Sequence, residues 1–146
     1  MQEPPLEILI QFAAKKTSQM AEERLAKAGL AKLHPPQGQI LAFLYSRPNM
    51  SAADIQDALR ISKSTVSEAL SGLVNLGLIE YVTSEEDRRE KRIVETEKGK
   101  RHQEEAWKVF KRCEEDLRQG LSDEDVKTLR KALTKIIENA KGGERE

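Results

Sequence analysis

Two short helical segments, separated by only two residues, constrain the fold of this chain more than any other feature. Residues 51–54 read Ser-Ala-Ala-Asp, a capping-box pattern with aspartate at its fourth position, so a short helix is expected to begin there. Residues 60–61 form a tight connection to a second N-cap, Ser62, and the next helix runs to about Leu76. Gly77 then supplies the left-handed residue that commonly ends a helix. Two helices joined by so brief a turn predict a helix-turn-helix. Their predicted inner faces are Ile55, Ala58 and Leu59, and then Val66, Ala69, Leu70, Leu73 and Val74.

A β-hairpin is predicted immediately after the second helix. Residues 78–83 and 92–96 are short segments rich in β-branched and aromatic side chains, as strands are. Residues 84–91 between them are almost entirely charged, which predicts a long polar tip. A helix-turn-helix followed directly by such a hairpin is a winged helix-turn-helix, in which the hairpin is the wing.

Helices are predicted on both sides of this winged segment. Residues 6–28 carry apolar side chains at helical spacing. A second helix is expected from residues 34–36, where two prolines suit a first turn, to Pro48. Helical periodicity resumes at residues 97–120 and again at residues 122–140. The predicted fold class is therefore mainly α with a small β-hairpin wing.

Composition indicates that a partner completes the hydrophobic core. Only 38% of the 146 residues are hydrophobic, which is a low share for a chain of this size. Basic and acidic residues number 25 each, so the formal net charge is zero. This balance excludes a protein that coats nucleic acid by charge alone, and any such binding must come from a local arrangement of residues.

Several function classes are excluded by what the sequence lacks. The longest apolar run, residues 40–45, is far shorter than the ~18 residues of a membrane helix, and no signal-type segment is present, so a cytoplasmic protein is expected. One cysteine excludes an internal disulfide, and two histidines make a zinc site unexpected. Catalytic and nucleotide-binding motifs are absent, and adjacent acids such as Glu104 and Glu105 splay around a helix. We predict no enzymatic activity, no metal and no cofactor.

Five segments carry a family resemblance. The most specific is residues 87–93, Asp-Arg-Arg-Glu-Lys-Arg-Ile, followed by residues 96–99, Thr-Glu-Lys-Gly. The others are residues 33–37, 61–67 and 76–79, at the starts of two helices and at the exit into the hairpin. In this order and spacing, the sequence resembles the MarR family of winged helix-turn-helix transcription regulators over most of its length.

The resemblance implies a function and a domain organisation. Residues 1–32 and 97–146 would form a helical dimerisation region around a DNA-binding region of residues 33–96. The implied protein is a homodimeric, sequence-specific regulator, expected to be a repressor, that binds an inverted repeat in double-stranded DNA. A small phenolic or other lipophilic effector releases many members of the family from DNA.

The helix of residues 62–76 is the predicted recognition helix. In a winged helix, the first turns of this helix meet base edges in the major groove. Its side chains away from the apolar stripe are mainly short and hydroxylated, which permits close approach. Free N–H groups at the helix start, with Lys63, favour a phosphate; a solvated helix face is the alternative interpretation. The candidate DNA-binding residues are Ser62, Lys63, Ser64, Thr65, Ser67, Glu68 and Ser71.

The wing contributes a second set of candidates. The resemblance implies that Asp87 orients Arg89, and Arg89 would enter a narrow minor groove, whose negative potential attracts arginine. Arg88 and Lys91 are expected to contact phosphates, which position the protein without specifying sequence. In the alternative interpretation, the acids of this loop merely neutralise its bases. Those acids are Glu85, Glu86, Asp87 and Glu90, and the bases are Arg88, Arg89, Lys91 and Arg92.

The charge balance of the predicted DNA-binding region supports an alternative function. Residues 33–96 contain seven basic and nine acidic side chains, a net charge of −2. Glu68 places an acid on the recognition helix, and Glu95 stands where the family usually has leucine. These features favour the alternative of a winged-helix module for protein–protein assembly without DNA binding.

Side chains on the flanking helices leave two further alternatives. Cys113 is either a redox sensor or, as its position on an apolar stripe favours, a packing residue. Trp107, Phe110 and Phe12 either line an effector cleft or form part of a dimer core.

Overall fold

The computed structural model describes residues 2–83, 86 and 89–142, which form six helices and one two-stranded sheet. The described elements are α1 (Leu6–Lys27), α2 (Pro35–Ser46), α3 (Ala52–Leu59), α4 (Lys63–Asn75), β1 (Ile79–Thr83), β2 (Lys91–Glu95), α5 (Glu97–Leu117) and α6 (Asp123–Lys141). This order confirms the predicted fold class. The chain forms two compact units, residues 1–110 and 111–146, whose boundary falls within α5.

Serine side chains begin three of these helices, and the caps of α3 and α4 were predicted above. The hydroxyl oxygens of Ser51, Ser62 and Ser122 accept hydrogen bonds from backbone amides three residues later, at 3.1, 3.2 and 3.0 Å. Ser51 and Ser122 form full capping boxes, because Asp54 and Asp125 accept a hydrogen bond from the serine N–H in return. The starts of α3, α4 and α6 are therefore fixed by local bonds that satisfy otherwise open amides.

One hydrophobic core lies between α2, α3, α4 and the base of the hairpin. The predicted inner face of α4 is correct at four positions, but Val74 is 37% exposed. Val74 follows Leu73 by about 100° around the helix, which turns it out of the buried stripe. On α3, Ile55 is buried as predicted, whereas Ala58 is exposed. Among the described residues, the largest fully buried side chains are Ile40, Leu41, Ile55, Leu70, Leu73, Leu78 and Ile93.

The hairpin pairs β1 and β2 in antiparallel register, with Tyr81 opposite Ile93. β1 begins one residue later than predicted, and β2 lies one residue nearer the N-terminus. The shift has a local cause, because Thr96 leaves the strand to start α5. Its hydroxyl donates to the Gly77 carbonyl at 2.6 Å and accepts from the Gly99 amide at 3.0 Å.

The long helices leave large apolar side chains exposed. No residue of α1 is buried, and Trp107 on α5 is 73% exposed. Cys113 is buried, as a packing role predicts. Within the described residues, no helix combines the length and apolar character that crossing a bilayer requires. The other exposed side chains of this kind on these helices are Leu6, Ile8, Leu9, Phe12, Phe110, Leu117, Leu129, Leu133 and Ile137.

Gly99 is expected to tolerate no side chain, because α5 passes directly over the backbone of Leu78. A Cβ at position 99 would overlap the Leu78 carbonyl oxygen. We predict that Gly99→Ala lowers the free energy of unfolding by about 1–3 kcal/mol, as overpacking does. Gly38→Ala is the matched control, since nothing lies within 4 Å of its Cβ position in α2. This substitution should raise the free energy of unfolding by up to about 1 kcal/mol. Denaturant titration measures both, and equal stability of the two variants would contradict the prediction.

Candidate nucleic-acid interface

The exposed face of α4 and its N-cap carry all the predicted recognition-helix residues except Thr65. Val66, Leu70 and Leu73 are buried and hold the opposite face against the core, so the rotation of α4 about its axis is fixed. Thr65 is half-buried, and the other candidates are exposed. The structure therefore presents these residues along one side of the helix, although their contact with DNA stays a prediction. The exposed set is Ser62, Lys63, Ser64, Ser67, Glu68 and Ser71.

Three hydroxyl groups interact at the start of α4. The Ser62 Oγ atom lies 2.7 Å from Thr65 Oγ1 and 3.1 Å from Ser64 Oγ. The same oxygen accepts the Thr65 amide, so Ser62 is occupied as the N-cap. An anion at this helix end would therefore meet the remaining first-turn amides, with Lys63 beside them.

The wing is described only in part. Asp87 and Arg88 lie outside the described residues, so the implied Asp87–Arg89 contact stays a prediction. Arg89 is exposed. Lys91 is also exposed and places its Nζ atom 5.7 Å from the centroid of the Tyr81 ring, within the range of a cation–π interaction.

Arg92 has a contact that the sequence pattern did not indicate. One guanidinium nitrogen lies 3.1 Å from Glu90 Oε2, as the charge-neutralised interpretation of the wing expects. The other lies 3.3 Å from Asp54 Oδ2 and 3.2 Å from the Asn49 carbonyl oxygen, at the start of α3. No local signal could have revealed this bond, because the partners are 38 residues apart.

Glu95 is an acid in a partly buried position between β2 and α5. Burial raises the pKa of this carboxyl above its ordinary value, against a hydrogen bond from Gln103 and the charge of Lys100. The Gln103 Nε2 atom lies 3.5 Å from the Glu95 carboxylate. The position that the family pattern fills with leucine is thus partly desolvated here, which explains why an apolar residue would suit it.

A cavity of about 460 Å³ lies between the end of α1, the connection to α2, and α5. Its lining is mainly apolar and includes Leu25, Leu41 and Phe110, together with the imidazole of His102. Within the described part of the chain, both ring nitrogens of His102 are buried and neither makes a hydrogen bond of normal geometry, although the Ala31 backbone lies near enough to the ring to affect its pKa. Burial lowers the pKa of His102, although the backbone of Ala31 acts in the opposite direction, so the ring is neutral at pH 7.

A second cavity places Trp107 away from Phe110. It measures about 500 Å³ and is lined by Trp107 with Tyr45 and Ala42 of α2. The three aromatic residues considered for an effector cleft therefore do not converge, since Phe12 lines neither of these two cavities. His102, to which the sequence analysis gave no role, is among the residues that line the first cavity.

The sequence profile of the MarR family matches residues 24–90, from the end of α1 through α4 to the wing. The chain is therefore similar to the MarR family over 67 of its 146 residues. The matched residues include α2, α3, α4 and β1, and the match ends one residue before β2.

Solved structures of MarR-family regulators share this fold over nearly the whole chain. The crystal structure of a MepR–DNA complex from Staphylococcus aureus is 27% identical, covers 94% of this chain and 99% of its own, and has a TM-score of 0.79. A second crystal structure, of MepR described as a transcription regulator of the multidrug efflux pump MepA, is 25% identical to this chain. It has the same coverages and a TM-score of 0.71. The reduced form of MarR from Escherichia coli is 20% identical, covers 93% of this chain and 98% of its own, and matches the fold with a TM-score of 0.73.

Proposed function

We propose that this chain is a homodimeric repressor that binds an inverted repeat in double-stranded DNA. The observation that carries the proposal is the exposed, hydroxyl-rich face of α4, whose rotation is fixed by Val66, Leu70 and Leu73. Short side chains along this face permit close approach to base edges in the major groove. The fold similarity to MepR, which has been crystallised with DNA, supports this role for α4.

The proposed roles of the DNA-binding residues differ. Lys63 and the first amides of α4 would hold a phosphate, and Ser67 and Ser71 would face base edges. Arg89, oriented by Asp87, would enter the minor groove, while Arg88 and Lys91 would contact phosphates. Ser62, Ser64 and Thr65 would order the helix start, and Glu68 would disfavour some base pairs by repulsion.

Binding measurements on variants test this assignment. With a duplex selected from a random pool, we expect Arg89→Ala to weaken binding by at least about tenfold, which corresponds to roughly 1.4 kcal/mol. Lys63→Ala should weaken binding to all duplexes alike and lower the slope of log Kd against log salt by about one, because it removes one phosphate contact. Ser67→Ala should instead change which sequences are preferred.

Lys108→Ala is the control, because it removes the same charge from α5 and should leave affinity unchanged. If the parent protein binds no selected duplex even at low salt, the DNA assignment fails. That result would favour the assembly-module alternative, which the acidic balance of residues 33–96 and the exposed Glu68 support.

The proposed dimer rests on apolar side chains that the chain itself leaves uncovered. α6 exposes Leu129, Leu133 and Ile137 at spacings of four residues, which place them on one face of the helix. α1 exposes Leu6, Leu9 and Phe12 in a similar row near its start. Exposure of two such rows is typical of surfaces that a second copy covers.

Placing a charge in the α6 row is expected to separate the protomers. Leu133→Asp should convert the dimer to a monomer in sedimentation equilibrium and abolish cooperative binding to the inverted repeat. Val82→Asp, at an exposed apolar site on β1, is the control and should remain dimeric. A parent protein that is monomeric while it binds DNA would rule out the proposed assembly.

We place the effector in the 460 Å³ cavity beside α5. The mainly apolar lining suits a small lipophilic or phenolic molecule, and a rotation of the His102 side chain would turn one of its buried ring nitrogens toward the hydroxyl of that molecule.

With 4-propylphenol as probe, we expect DNA release together with a shift of the His102 imidazole NMR signals. His102→Leu should raise the Kd of the probe about three- to tenfold, as loss of one hydrogen bond does, and leave DNA affinity unchanged. Release of DNA without any shift at His102 would place the effector elsewhere.

A further inference from the structure

The wing is joined to the helix-turn-helix at its base by two neighbouring residues of β2. Ile93 donates its backbone amide to the Met50 carbonyl at 2.9 Å. One guanidinium nitrogen of the neighbouring Arg92 lies 3.3 Å from Asp54 Oδ2 and 3.2 Å from the Asn49 carbonyl oxygen. The backbone bond fixes one point of the hairpin, and the side chain fixes a second.

The carboxylate that Arg92 contacts is already held in place. Asp54 Oδ2 accepts the Ser51 amide at 3.0 Å, within the capping box of α3. Hydrogen bonds from Ser51, and then the charge of Arg92, lower the pKa of this carboxyl, so it stays ionised at neutral pH. Because the cap orders Asp54 without help from Arg92, pairing costs little further side-chain freedom.

The guanidinium group is equally constrained from its own side. Its other terminal nitrogen lies 3.1 Å from Glu90 Oε2, on the wing segment that precedes β2. Both terminal nitrogens of Arg92 are therefore directed at oxygens of the protein. This arrangement differs from that of an arginine whose donors are presented to solvent for a phosphate.

The α3 end of this link bears on α4. α3 and α4 pack against each other, and Ile55 of α3 shares the core with Leu70 and Leu73 of α4. A wing fixed to Asp54 is thus fixed relative to the exposed face of α4, on which the proposed function depends.

We propose that Arg92 is a positioning residue, which sets the angle between the wing and α4 through Asp54 so that both reach one duplex. The inference rests on the proposed DNA-binding function. Exposed ion pairs contribute little to folding stability, so the effect of Arg92 belongs in DNA binding rather than in the stability of the chain.

Two single variants distinguish positioning from a direct phosphate contact. The salt slope is the readout for Arg92→Gln, and the direction of the change in Kd is the readout for Asp54→Asn. Arg92→Gln should raise Kd about three- to tenfold without changing the salt slope, whereas removal of a phosphate contact would lower that slope by about one. Asp54→Asn removes a negative charge, so electrostatics alone would strengthen DNA binding. Positioning predicts the opposite, a weaker complex.

A double variant and a conservative one complete the set. The double variant Arg92→Gln/Asp54→Asn should bind DNA no more weakly than either single variant, because both substitutions break the same link. Arg92→Lys should recover part of the affinity, since an ammonium group can still reach Asp54. Ser51→Ala is the control, because it removes the cap hydroxyl but keeps the Asp54 carboxylate and its bond from the Ser51 amide.

A measurement without DNA separates this inference from the proposed function. Residual dipolar couplings of β1, β2, α3 and α4 amides should fit one rigid frame in the parent protein, and the hairpin should deviate from that frame in Arg92→Gln. An unchanged hairpin orientation in that variant overturns the inference. The inference is also overturned if Arg92→Gln reduces the salt slope, or if its effect on Kd adds to that of Asp54→Asn. Tighter DNA binding by Asp54→Asn than by the parent would overturn it as well. Failure of the parent to bind any duplex overturns the proposed function, and with it the role of the link in DNA binding.

Discussion

The geometry of the winged helix depends on the hydrogen bonds that the Thr96 hydroxyl makes. This hydroxyl donates to the carbonyl of Gly77, where α4 has just ended, and accepts the amide of Gly99 in the first turn of α5. The Thr96 amide donates to the Leu78 carbonyl at 3.0 Å, and Lys98 reaches the Leu76 carbonyl at 2.8 Å. The end of α4, the base of the hairpin and the start of α5 therefore meet at one hydrogen-bonded junction. The absence of a side chain at Gly99 lets these backbones approach so closely.

This junction connects the proposed effector cavity to the exposed face of α4 by a short path. His102 lies three residues after Gly99 on α5, so a molecule against its ring would act on the helix that the junction ties to α4. Only an effector that binds two arrangements with different affinity can shift their populations. The proposed release from DNA thus requires two orientations of the start of α5 against the end of α4, which the Thr96 bonds would favour unequally.

The features that the sequence predicted are those determined by residues close together in the chain. The caps at Ser51, Ser62 and Ser122 involve partners three residues away, and the inner face of α4 follows from its periodicity. The link from Arg92 to Asp54 could not be predicted in this way, because its orientation depends on how the hairpin packs against α3. His102 was missed for a similar reason, since its cavity exists only where α5 meets the end of α1.

The charge balance of residues 33–96 explains why such positioning matters. A net charge of −2 over this region provides little long-range attraction to a polyanion, so affinity must come from contacts made at short range. Contacts of that kind depend steeply on distance and orientation, and in the proposed complex the wing would meet the minor groove while α4 occupies the adjacent major groove. In the proposed dimer, two such units engage one duplex, and each gains from the other only if both are held at the correct angle. A strongly basic winged helix gains affinity from long-range attraction, whereas the DNA binding proposed for this chain would depend on the fixed geometry of its junction and its wing base.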